Sequence, residues 1–208
     1  MDRDRFEQAY RERPPWDIPG PQPALVELAE AEAGAVRSPV LDAGCGTGEN
    51  ALFLASRGHD VLGLDYVEAA IEKARAKAAD RGGSARFEVG SALELDRLGA
   101  TFETVIDCGL FHTFDDDQRR AYVESLRAAV RPGGLYVMLC FSDREPAGQG
   151  PRRITQEEIR EAFRDGWVVE SIRATRFRVT DHPEAWTFSP GGPHAWLATI
   201  ARAAAPES

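Results

Sequence analysis

The sequence predicts an α/β protein: a doubly wound, mostly parallel sheet with helices on both faces. Three observations carry this. Short apolar runs alternate with helical stretches along the chain, the pattern of a parallel sheet wrapped by helices. The stretch "LDAGCGTGEN", Leu41–Asn50, sets three glycines on alternate positions directly after one such run. A carboxylate, Asp65, closes the next run, twenty-one residues beyond Gly44.

The strand candidates of the core are Val40–Asp42, Asp60–Leu64, Ala85–Val89, Thr104–Cys108 and Gly134–Phe141. Between them, Glu49–Arg57 has apolar residues at helical spacing and stops at Gly58, a suitable C-terminal cap. Val67–Asp80 is Ala-rich, turns Glu72 and Lys73 outward and ends on Arg81-Gly82-Gly83. The helix Gln118–Val130 follows Asp115-Asp116-Asp117, whose carboxylates suit a helix start. Pro132-Gly133-Gly134 then turns the chain into the next strand. Beyond Phe141, Ser142–Arg153 reads as a polar loop. Thr155–Phe163 reads as a helix capped by Thr155, with Glu158 three residues on. Trp167–Arg173 and Arg176–Thr180 alternate like two strands, Asp181–His194 is rich in Pro and Gly, and Ala195–Ala201 is a final strand. At the other end, Asp4–Glu12 reads as a short helix and Pro14–Pro23 as an irregular segment suited to a lid.

A length of 208 residues suits one domain, 1–208. Within it, 1–37 are expected to supply N-terminal helices and a lid, 38–141 a ligand-binding core, and 142–208 a substrate-side part. The charged start MDRDRFEQAYRERPPW is unlike a signal or transit peptide, so a cytoplasmic location is expected. The balance of 25 Lys+Arg against 34 Asp+Glu gives a formal charge of −9, a field that repels phosphate backbones. No nucleic-acid or membrane partner is expected. Arg152-Arg153 is the one notable basic doublet near the expected site mouth. Cys45, Cys108 and Cys140 lack zinc spacing and read as small apolar filler.

In a doubly wound sheet, ligands bind beyond the carboxyl ends of the strands, where strand order reverses, and Gly44–Gly48 occupies that turn. A dinucleotide fingerprint would read G-x-G-x-x-G. Here the spacing is G-x-G-x-G and Glu49 opens the helix, a poor neighbour for a diphosphate. Asp65 is placed to accept hydrogen bonds from both hydroxyls of a ribose. Asp42, just before the glycines, is placed to engage an ammonium group directly or through water. A nucleoside carrying an amino acid and a positive centre meets these demands, and S-adenosylmethionine is such a ligand.

Leu41–Asn50, Asp65, Asp107 and the Arg131–Gly134 turn together resemble the class I S-adenosylmethionine-dependent methyltransferases, over about Pro39 to Phe141. The resemblance implies a Rossmann-like, seven-stranded sheet and S-adenosylmethionine as cofactor. It also implies roles for single residues. Gly44, Cys45, Gly46, Thr47 and Gly48 would lie along the methionine portion, Asp65 on the ribose, and Tyr66 over one face of the adenine. Ser91 and Ala92 would bracket the adenine, with Ser91 standing where many relatives carry an acid. Asp107 would lie under the reactive sulfur. Pro14-Pro15-Trp16-Asp17 with Pro21-Gln22-Pro23 is similar to a narrower group, the thiol, halide and thiopurine methyltransferases and the bacterial heterocyclic-toxin methyltransferases. In that group this segment folds over the cofactor. Trp16 would then meet the sulfonium, which an aromatic face attracts; otherwise it anchors the segment.

The segment Asp107–Phe114 falls where an acceptor would meet the methyl group. It lacks the prolines of nucleic-acid amino methyltransferases, and Leu110, Phe111 and Phe114 suggest an apolar wall. His112 is the candidate general base; the alternative is a histidine packed behind the loop on a backbone partner. An acceptor already ionised near neutral pH needs little help, since alignment alone can supply about 7–11 kcal/mol. Trp186 is a candidate substrate contact and, with His182, Phe188 and His194, either lines the pocket or pins a loop. No residues show metal-ligand spacing. The expected function is methyl transfer to an oxygen or sulfur of a small aromatic or heterocyclic molecule, in detoxification or secondary metabolism. Small thiols or halides are the alternative acceptors. A non-catalytic cofactor-binding module and a nicotinamide-dependent oxidoreductase are the rivals from other classes.

Overall fold

The computed structural model describes residues 3–11, 14–31, 35–148, 150–180 and 188–204. Seven strands form one sheet in the order β3-β2-β1-β4-β5-β7-β6. They are β1 (Val40–Ala43), β2 (Val61–Asp65), β3 (Arg86–Val89), β4 (Phe102–Cys108), β5 (Val130–Phe141), β6 (Trp167–Arg176) and β7 (His194–Arg202). The first five run parallel, with Val40 opposite Val61 on one side and Thr104 on the other. β7 pairs antiparallel with both β5 and β6. Strand order reverses between β1 and β4, so their carboxyl ends open the crevice where ligands bind in such sheets.

Strands buried on both faces explain the near-continuous apolar runs in the sequence. Leu41, Leu62, Val105 and Met138 face one core with Tyr122 and Leu126 of α5 (Asp116–Ala129) and Ile159 of α6 (Gln156–Ala162). Val40, Val61, Ile106 and Val137 face the other. There they meet Leu25 of α2 (Pro23–Ala31), Leu54 of α3 (Glu49–Ser56) and Ile71 of α4 (Glu68–Asp80). The helix starts expected at Asp115 and Thr155 are capping boxes, with Gln118 and Glu158 returning to the cap backbone. α1 spans Arg3–Arg11 against α4.

Three expectations are corrected. Arg176–Thr180 is not a separate strand: β6 runs unbroken to Arg176 and residues 177–180 leave the sheet. The irregular segment ends at Pro23, which opens the unforeseen helix α2, a position where proline's missing N–H costs nothing. Arg131–Gly134 lies inside β5 as an irregularity against β4, with Gly133 at φ +76°. No helix among the described residues is long and apolar enough to cross a membrane.

Candidate functional site

The glycine-rich turn after β1 runs straight into α3. Gly46 sits at φ +54°, and a Cβ there would come within 2.7 Å of the Tyr10 hydroxyl. Gly48 sits at φ +85°, where a Cβ would strike Phe87 at 2.7 Å and Ala74 at 3.0 Å. One glycine thus keeps bare backbone beside an aromatic side chain, while the other lets α3 pack onto the sheet. Asp65, at the end of β2, accepts from the Gly46 amide at 2.9 Å and from the Val67 amide at 2.9 Å, one bond on each carboxylate oxygen. Each oxygen keeps a further lone pair for a ligand donor. Burial raises the Asp65 pKa and these amides oppose that.

Below the turn, Asp42 is fully buried behind the cavity wall, and apart from the approach of the Ala51 amide neither carboxylate oxygen has a well-formed hydrogen bond among the described residues. Burial, then the neighbouring Asp107 carboxylate, pushes its pKa up to about 8, and the Ala51 amide offsets this only in part. An orphaned carboxylate here fits a ligand that brings a positive charge to the turn. Glu49, at the start of α3, meets Arg81 through two contacts of 2.8 and 2.9 Å and Lys77 at 2.9 Å. Burial acts to raise its pKa, but these cations hold it below the ordinary value. An ionised side chain therefore already occupies this helix N-terminus, which disfavours a diphosphate.

A cavity of about 470 Å³ opens over the turn, in the range of small-molecule sites. Gly44, Cys45, Gly46, Thr47, Gly48, Asp65, Tyr66, Trp16 and His112 all line it. Trp16 donates from Nε1 to the Tyr10 hydroxyl at 3.3 Å, and its ring lies 5.8 Å from Phe6, which lies 6.0 Å from Tyr66. The segment carrying Trp16 is pinned at both ends. Lys77 donates to the Thr47 hydroxyl at 2.7 Å, and that hydroxyl donates to Asp17. Gln22 donates from Nε2 to the Arg178 carbonyl and accepts from the Arg178 amide, both at 3.0 Å. The Thr180 amide donates to the Pro15 carbonyl at 2.8 Å. The N-terminal segment is thereby joined to residues 177–180, which carry Phe177 and Val179 to the cavity.

Several expected residues sit elsewhere. Asp107 does not line the cavity: its carboxylate accepts from the amides of Leu110 (2.7 Å) and Phe111 (3.1 Å) and from Tyr136 Oη (2.8 Å). It shapes the loop after β4, and burial raises its pKa to about 6 against those bonds. Phe111 turns away from the cavity into the core, 5.9 Å from Phe163 and under the Arg119 guanidinium. Ser91 and Ala92 are also off the wall; Ser91 accepts from the Leu93 amide at 3.2 Å and Ala92 packs against the core. Trp186 and His182 lie outside the described residues.

His112 is buried at the wall, and its Nδ1 accepts from the Phe141 amide at 2.9 Å. Burial, then Arg119 and Arg153, drives its pKa down to about 3, so the ring is neutral. The wall beyond it is Leu110, Phe114, Phe141, Phe177 and Phe188, with Arg152 at the rim. Of these, Phe141 and Phe177 gave no local signal in the sequence, nor did Tyr10.

Comparison with known proteins agrees with this geometry. Residues 40–134 match the model of a methyltransferase domain. The chain is 37% identical to a 2-heptyl-1-hydroxyquinolin-4(1H)-one methyltransferase of Mycobacteroides abscessus, over 84% of this chain and 81% of the relative. A probable thiol methyltransferase of Arabidopsis thaliana is 27% identical over 69% of this chain and 64% of its own. A solved structure, described with the conversion of a disulfide bond into a thioacetal group during echinomycin biosynthesis, superposes with a TM-score of 0.86. It is 40% identical and covers 97% of this chain and 93% of that one. The glycine turn, the Asp65 carboxylate, the orphaned Asp42 and these likenesses lead to one conclusion: this chain belongs to the class I S-adenosylmethionine-dependent methyltransferases.

Proposed function

We propose that the chain methylates an oxygen or sulfur on a small heterocyclic or aromatic acceptor, in the manner of the hydroxyquinolinone methyltransferase it resembles. The observation that carries this is the aromatic wall: Phe114, Phe141, Phe177 and Phe188 line the cavity, with His112, Thr113, Arg152 and Arg178 as polar groups among them. Flat apolar rings fill such a space, and a few polar groups orient them. The bound cofactor supplies an electrophilic methyl group on a sulfonium. The chain supplies position and dryness. With the cofactor bound, Asp65 would hold the ribose, Asp42 would balance the ammonium, Trp16 would lie against the sulfonium side and Tyr66 over the adenine. We read 1–208 as one domain in which 1–37 close over the cofactor, 38–141 bind it, and 142–208 build the acceptor side. The setting is secondary metabolism or detoxification, and the charge of −9 disfavours a nucleic-acid partner.

A small-thiol reading has one point in its favour, the likeness to a probable thiol methyltransferase. Relative kcat/KM values for a hydroxyquinolinone, a simple phenol and a small alkyl thiol separate the two. The heterocyclic hydroxyl is expected to lead. A preference for the alkyl thiol would transfer the assignment to that class.

A further inference from the structure

His112 stands on the 3-10 turn Phe111–Thr113 and is 5% exposed. A backbone amide can only donate, so the bond from Phe141 N–H occupies the Nδ1 lone pair and places the ring proton on Nε2. Nε2 has no partner among the described residues, and it lies beside Gly109, where a Cβ would approach it to 3.5 Å. Both Gly109 and His112 line the cavity. The ring is held between Phe141 and Phe177, at centroid distances of 4.8 and 5.8 Å. What the cavity meets is therefore a buried, oriented N–H donor with no lone pair to offer.

The groups around the ring reinforce this. Arg119 on α5 and Arg153 in the loop before α6 both oppose a positive charge on the ring. Cys108, at the end of β4, has its thiol pKa raised by burial. The Asp107 carboxylate is already bonded to Leu110, Phe111 and Tyr136. Asp17, Glu49 and Asp65 are tied up on the cofactor side by Thr47, by Arg81 and Lys77, and by backbone amides. Among the described residues, no group at the acceptor end is set to take up a proton.

We infer that His112 is a fixed hydrogen-bond donor to the acceptor, and that the chain takes acidic heterocycles that react as delocalised anions. The inference rests on the proposed function and narrows it. The acceptor loses its proton to solvent. Its anion spreads charge between the reacting heteroatom and a second oxygen or ring nitrogen, and the second atom receives the Nε2 hydrogen. The reacting atom's lone pair then forms the bond to the methyl carbon as the carbon–sulfur bond breaks and its electron pair returns to sulfur. A donor on the reacting atom itself would tie down that lone pair; on the second atom it orients the ring.

Two measurements decide this. The first is the pH profile of kcat/KM for two acceptors of different acidity. Its rising limb should follow each acceptor's own pKa. In His112→Phe, kcat/KM should fall by about 10- to 100-fold, the loss of a hydrogen bond to a charged group, with the limb unmoved. His112→Gln, which keeps a donor, should recover part of the loss. A limb fixed at one pH for both acceptors, and lost in either variant, would show an enzymic base and overturn the proposal. The second is nitrogen NMR of histidine-labelled protein with the demethylated cofactor, the His112 signals being assigned by His112→Gln. A neutral Nε2–H ring is expected from about pH 5 to about pH 8, a range in which an ordinary histidine titrates. An Nδ1–H ring, or a titration in that window, would equally overturn it. Should no acceptor be methylated, the proposed function fails, while the nitrogen spectrum still decides the state of His112.

Discussion

Asp42 shows how a single side chain carries a cost for its ligand. Its pKa of about 8 in the folded chain lies far above the ordinary carboxylate value of about 3.9, so the folded state binds this proton more tightly than the unfolded one. That contribution to stability is complete at low pH and is lost as pH rises toward the folded value. Asp42→Asn should therefore match the parent protein near about pH 4 and exceed it by at least about 1 kcal/mol near about pH 8, in thermal melts without ligand. The same variant should bind the demethylated cofactor more weakly; equal or tighter binding would remove Asp42 from the ammonium. Gly46 offers a cleaner geometric test. Gly46→Ala should weaken cofactor binding by at least about tenfold, from positive φ and the collision with Tyr10. Tyr10→Phe in that background should return part of the loss, because the next ring atom, Cζ, stands 3.6 Å from the added carbon. The turn and Asp65 were legible because their spacing is local. Asp107 and Phe111 were misplaced, since sequence gives no sign of which donors a strand-end carboxylate meets or which way a short turn faces. Tyr10, Phe141 and Phe177 arrive from remote segments and announce nothing on their own.

Among the elements, the Gln22 amide is the join between the two ends of the chain. It is buried and meets both backbone groups of Arg178, while Thr180 holds Pro15. Gln22→Ala strands two backbone groups and should cost about 1–3 kcal/mol locally. Faster hydrogen exchange at the Arg178 amide, with higher KM for both cofactor and acceptor, is the expected result. Unchanged exchange would mean the segments close independently. The parallel strands were readable because burial on both faces leaves plain apolar runs. The end of β6 was not, since residues 177–180 continue a strand-like alternation after leaving the sheet to meet the N-terminal segment. α2 escaped notice because Pro23 looks like a breaker and is here the first residue of a helix.

At the scale of the whole molecule, strand order places every part of the site at one edge. The reversal between β1 and β4 sets the glycine turn beside the Cys108–Phe114 loop, so cofactor and acceptor ends share one cavity. Segments before the core and after it then cover that cavity together. The fold class was legible from alternation alone, whereas the pairing of the two covers depends on contacts between residues more than 150 positions apart. The central claim is that this shared cavity passes a methyl group to an acidic heterocycle. Mass spectrometry of a hydroxyquinolinone incubated with the protein and S-adenosylmethionine bearing a deuterated methyl tests it most directly. A product carrying the intact deuterated methyl on the heteroatom is the expected result. An unlabelled acceptor, recovered from protein shown to bind the cofactor, would contradict it.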